Sequence, residues 1–154
     1  MVAPPAGTAQ SSITFSVQVP DDYPAEMVAA IYDAIAWASD ATGVVVQEVG
    51  SFGDMTITGH MRSGGHAEAT ALSDGQIVSA RVEVGCCRPR VAYEEVGQAM
   101  GAFGDRGDER SIFSQSRHDN VASDFDTWVL DALYAVPTGS LPEAVAAALE
   151  TLVP

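Results

Sequence analysis

The chain has 154 residues, 47% of them hydrophobic, with 21 acidic side chains against 7 arginines, no lysine and a formal net charge of −14. That charge disfavours phosphate backbones and anionic lipid surfaces as partners, because long-range repulsion opposes both. The length and apolar fraction call for one compact domain with its own core rather than a disordered chain, and no apolar run approaches the roughly 20 residues of a membrane-spanning helix.

The opening Met1-Val2-Ala3-Pro4-Pro5-Ala6-Gly7 has neither the basic nor the apolar region of a secretory signal. Residues 1–11 are expected to form a flexible leader and 12–154 a single α+β domain. Residues 12–19 alternate, with Ile13, Phe15, Val17 and Val19 on one face and Thr14, Ser16 and Gln18 on the other, which is the period of a half-buried strand. Pro20 ends it. From Ala25 to Ser39 the period becomes helical, with Met27, Ile31, Ile35 and Ala38 in one stripe. Pro24 suits the first turn, Asp21, Asp22 and Glu26 complement the helix dipole, and Gly43 serves as a left-handed stop.

A second strand is expected over 44–49, followed by three more at 54–62, 66–72 and 76–84, joined by Ser63-Gly64-Gly65 and Ser73-Asp74-Gly75 with hairpin chemistry. Met55, Ile57, Gly59, Met61, Ala67, Ala69, Ala71, Val78, Ala80, Val82 and Val84 share the core face. Thr56, Thr58, His60, Arg62, His66, Glu68, Thr70, Ser79, Arg81 and Glu83 share the wet one. The alanines of the middle strand leave room for a bulky helical side chain. Helices are expected over 91–103, with Val96, Met100 and Phe103 inward, and over 119–134, with Val121, Phe125, Trp128 and Ala132 in one stripe. Asp119 reads as the N-cap of the latter. Ile112 and Phe113 anchor the polar loop 104–118, and Ser140-Leu141-Pro142-Glu143 is a capping box opening a last helix, 141–152. The predicted fold is α+β: a single antiparallel sheet of about five strands with helices packed on one face, in the order β-α-β-β-β-β-α-α-α.

Charge is unevenly dealt. All seven arginines fall between Arg62 and Arg117, so residues 1–61 carry −7, residues 62–117 carry −1 and residues 118–154 carry −6. Codon usage in a GC-rich genome is the economical account of the missing lysine.

Chemistry-bearing groups are sparse. Cys86 and Cys87 are the only cysteines, which is no secreted disulfide framework, and the expected location is the cytoplasm. Adjacent cysteines make a poor disulfide because the required torsions are seldom reached, so the pair reads as two small residues filling a junction. With His66 it is a candidate metal set, though the spacing matches no closed zinc pattern. The run from Ser114 to Asp119 holds a hydroxyl, an imidazole and a carboxylate, but side chains adjacent in sequence seldom face one another. Arg106-Gly107-Asp108 is a charged turn. Asp126 points away from the stripe of Asp124 and Asp131, so the three form a solvated face rather than a cation site.

No catalytic constellation stands out and no cofactor is expected. The leading expectation is a small acidic interaction protein that occludes a basic protein partner, as an inhibitor, immunity protein or adaptor does, with Asp124 and Asp131 facing the partner. The first alternative is a small-molecule-binding or enzymatic domain using His60, Arg62, His66 and Arg81 around an anion, which guanidinium forks suit. The second is a subunit of a larger assembly.

Overall fold

A computed structural model of the protein describes residues 12–71, 77–102, 120–136, 142–152 and 154. Its elements are β1 (Ser12–Gln18), α1 (Ala25–Thr42), β2 (Val45–Glu48), β3 (Met55–His60), β4 (Gly65–Ala71), β5 (Ile77–Gly85), α2 (Arg90–Ala99), α3 (Asp124–Ala135) and α4 (Pro142–Leu152). The order is β-α-β-β-β-β-α-α-α, in the α+β class. The expected leader, the anchors Ile112 and Phe113, Phe103, the 106–108 turn, the 114–119 run, the 73–75 turn and the Ser140 cap lie outside the described residues.

The sheet is mixed rather than antiparallel. Its order is β2-β1-β3-β5-β4, with β1 parallel to both β2 and β3, β3 parallel to β5, and only β4–β5 antiparallel. Turn residues mark where a chain reverses, but they do not say which strand will lie alongside. The 61–64 connection is therefore no hairpin: it carries the chain past the end of β5, which inserts between β3 and β4. Gly85 N donates to Gly64 O (2.7 Å), and Cys86 N donates to the carbonyls of both His60 and Arg62 (2.9 Å each).

A second crossing explains β1. β2 pairs with β1 up to Phe15, and β3 takes over from Phe15 to Gln18 on the opposite edge. The 49–54 segment must pass over β1, and it does so on the side that no described helix covers. There the Asp54 carboxylate accepts from Thr14 N (2.8 Å) and Thr14 Oγ1 (3.0 Å), while Asp54 N donates to Thr14 Oγ1 (3.0 Å). Gly53 lies so close that a Cβ on it would stand 2.7 Å from Phe15 Cα. Ser16, expected on the wet face, is fully buried, and its hydroxyl has no hydrogen-bond partner among the described residues.

The core lies on the other face, where Ile13, Phe15, Met55, Ile57, Val82 and Val84 meet α1 and α2. The α1 stripe of Met27, Ile31, Ile35 and Ala38 is buried, and Gly43 at φ 71° ends the helix. Tyr23 donates its hydroxyl to Val84 O (2.9 Å), tying the approach to α1 onto β5. Burial raises the pKa of that phenol. α2 covers β4 and β5, with Val96 and Met100 inward. At Gly65, the first residue of β4, α2 packs directly through Val91 and Glu95.

Three apolar assignments in the sheet fail, at Val78, Met61 and Ala71, the last exposed at the end of β4. A register shift at Thr70/Ala71 breaks the alternation of β5, so Ile77 is buried and Val78 exposed. Met61, past the end of β3, is 50% exposed. The α3 helix begins later than expected, capped by Ser123 rather than Asp119: the Ser123 hydroxyl accepts from Asp126 N (3.2 Å) and the Asp126 carboxylate accepts from Ser123 N (2.8 Å). Val121 consequently lies outside the helix and is exposed, while Val129, Leu130 and Ala132 are buried. The α3 helix packs on α1, where Trp37 Nε1 donates to Thr127 Oγ1 (2.9 Å), and reaches the end of α2, where the Tyr134 hydroxyl donates to Met100 O (3.0 Å). The α4 helix packs on α3.

Candidate functional site

The sheet face that no described helix covers presents rows fixed by register. Thr56, Arg81 and Glu68 stand side by side across β3, β5 and β4, and Thr58, Glu83 and His66 form the next row. His66 Nε2 lies 3.3 Å from Glu68 Oε1. His60 ends β3 opposite Gly85, its Nδ1 accepting from Arg62 N (3.2 Å). Arg62 itself sits in the 61–64 connection. His66 and Arg81 therefore share the open face one row apart, with His60 at its end and Arg62 beyond it. Each of these two side chains has a carboxylate next to it, Glu68 beside Arg81 and Glu83 beside His66. The face is a lattice of mixed charge rather than a concentrated positive pocket.

At the seam where β5 runs into α2, Cys86 and Cys87 are bonded to each other, against the expectation that neighbouring cysteines stay apart. The backbone meets the requirement by placing Cys87 at φ 89°, a left-handed conformation uncommon for a residue with a β-carbon. Cys86 is buried and Cys87 exposed. The candidate metal set of His66, Cys86 and Cys87 does not form, since both sulfurs are consumed in the bond, and the described residues hold no cluster of three or more metal-binding side chains.

One helical turn into α2 lies a group that hydrophobic patterning missed. Glu95 is buried, and its Oε2 has no hydrogen-bond partner among the described residues. Its side chain packs on Gly65, where a Cβ would stand 2.6 Å from Glu95 Cγ. Burial first, and the charge of Glu94 second, push the carboxyl up to about 7 against the opposing effect of His66. Glu94 itself is paired with Arg90 one turn earlier (Arg90 Nε to Glu94 Oε1, 2.9 Å).

The outer helical surface has a different character. Asp33 and Asp40 on α1, Asp124 and Asp131 on α3, and Glu143 and Glu150 on α4 are all exposed. These three helices carry no arginine, lysine or histidine. Asp126 differs from its neighbours in being buried as half of the Ser123 capping box. A further exposed group went unread in the sequence: Phe52, on the segment that crosses β1, is 93% exposed with φ 55°.

What this geometry defines is a class: a mixed-sheet α+β protein with an acidic helical layer, a mixed-charge sheet face and a bonded cysteine pair at the seam. No protein-family model and no curated protein matches the chain in sequence. Among the described residues no helix is long and apolar enough to cross a membrane.

Proposed function

We propose that the protein binds and occludes a basic protein partner through its helical layer. The observation that carries this reading is the run of exposed carboxylates on α1, α3 and α4, on helices without a single basic residue. A field of one sign accelerates encounter with a partner of the opposite sign and repels wrong ones. Asp124 and Asp131 lie in it two turns apart on α3, and such carboxylates suit a partner's arginines or lysines. The sheet face, where Glu68 and Glu83 stand beside Arg81 and His66, offers no such field.

Immobilised protein, exposed to extract of the native host and washed, is expected to retain a basic protein in stoichiometric amount. Its association rate should fall about tenfold as ionic strength rises from low to physiological, where the Debye length is only about 8 Å. A partner whose association ignores salt contradicts the proposal, and so does the absence of any stoichiometric partner.

A further inference from the structure

We propose that Cys86–Cys87 is a thiol–disulfide exchange site, opened in the folded protein by a dithiol attacking at Cys87 and closed again by exchange with a disulfide. The two sulfurs are unequal in a way that suits exchange. Cys86 is buried, and its N–H is held by the carbonyls of His60 and Arg62, with Gly85 beside it bonded to Gly64 O. Cys87 is exposed and held at φ 89° while its sulfur is tied to the preceding residue. One sulfur is fixed and shielded; the other faces solvent on a backbone that favours a different conformation. The first turn of α2 follows at Arg90, and the exposed Arg88 stands next to the pair. Both add positive potential on the Cys87 side of the pair, where the second thiolate leaves.

Opening balances with a dithiol as the co-reactant, and closing is the reverse exchange, with a disulfide as the oxidant that departs as thiols. A thiolate of the reductant attacks Cys87 Sγ, the sulfur–sulfur bond breaks, and its electron pair leaves on Cys86 Sγ, which takes a proton from water. The second thiol of the reductant, as its thiolate, then attacks the reductant's own sulfur in the mixed disulfide, and Cys87 leaves as a thiolate that is protonated in turn. Two electrons and two protons pass to the protein, and the reductant departs as a disulfide. Once opened, the pair no longer holds Cys87 in the left-handed region, whereas Cys86 stays pinned by its two carbonyl acceptors. The rearrangement falls on residues 87–89, the lead into α2, and leaves the sheet in place. The site is independent of the carboxylates on the helical layer.

The test uses the full chain without denaturant. After incubation with dithiothreitol and quenching with iodoacetamide, intact mass is expected to show two alkyl groups per chain, against none without reductant. Removing the reductant and adding oxidised glutathione should restore the unreactive form. With glutathione as a monothiol, the trapped adduct should map to Cys87. Reduction should lower amide-exchange protection at residues 87–91 and leave β3 and β5 protected, and Cys86→Ser/Cys87→Ser should reproduce that pattern. If the double variant does not fold, the reduced wild-type protein supplies the same comparison. A pair that resists dithiothreitol until the protein is denatured overturns the proposal. So do thiols already free in the aerobically isolated protein, or an adduct on Cys86.

Discussion

The seam between β5 and α2 and the outer surface of α1, α3 and α4 are built on opposite terms. At the seam, backbone touches backbone: Gly85 fits beneath the carbonyls of Gly64 and Arg62, Gly65 fits beneath Glu95, and Cys86 is held by two carbonyl acceptors. On the helical surface, exposed carboxylates of one sign project into solvent. Close backbone packing tolerates almost no added volume, while exposed charge contributes little to stability and much to encounter. Substitutions at the seam should therefore act on folding, and substitutions on the helices on binding.

The largest expected effect is at Gly85. A Cβ there would overlap the carbonyl oxygens of Gly64 and Arg62, and neither is a flexible side chain that could move aside. Gly85→Ala should lower the free energy of unfolding by about 3 kcal/mol or more, read from urea denaturation. A loss below about 1 kcal/mol would show that the 61–64 crossing is looser than described.

Glu95 comes next, and its effect depends on pH. Its folded pKa, about 7, lies above the ordinary carboxylate value, so between the two the folded state holds a proton that the unfolded state has released. The carboxyl's contribution is fully present below the unfolded pKa and is lost as pH rises through about 7. Glu95→Gln removes that loss, so relative to wild type the variant should gain on the order of 2 kcal/mol between pH 5 and pH 8. Parallel stability curves for the two proteins over that range would contradict the burial of this charge.

A smaller effect is expected where the chain crosses β1. Asp54→Ala removes the acceptor for Thr14 N and Oγ1, and should cost about 1 kcal/mol because the site is exposed. Smallest of all for stability, Asp124→Arg/Asp131→Arg should shift unfolding by less than about 0.5 kcal/mol, since both side chains are exposed.

Legibility in the sequence followed the same division. Element order, the α1 stripe and the Gly43 stop were readable because each depends on local periodicity or on one residue's backbone freedom. The wet face of β3, β4 and β5 was readable for the same reason, and the register brings Thr56, Arg81 and Glu68 together as alternation implied. Strand neighbours were not readable, because whether β4 or β5 lies beside β3 is decided by non-local burial and by the Gly64–Gly85 contact. Val78 was misplaced by one bulge residue. The late start of α3 depends on Ser123 and Asp126 satisfying each other, a reciprocal pairing that the cap preference of Asp119 alone does not reveal. Glu95 resisted a reading in which carboxylates belong outside, although Gly65, the residue that makes room for it, was visible as a turn glycine. The cysteine pair was legible as a pair, but its bond depends on the backbone conformation of Cys87.

The most direct measurement of the central claim compares two variants with the wild type in association with the captured basic partner, at low and at physiological ionic strength. Asp124→Arg/Asp131→Arg alters the helical layer, and Arg81→Glu alters the sheet face. Reversal on the helices should slow association about tenfold and flatten its salt dependence, while the sheet-face change should leave the rate within about twofold. A slower rate for Arg81→Glu with an unchanged rate for the helical variant would contradict the account and move the binding surface to the open face of the sheet.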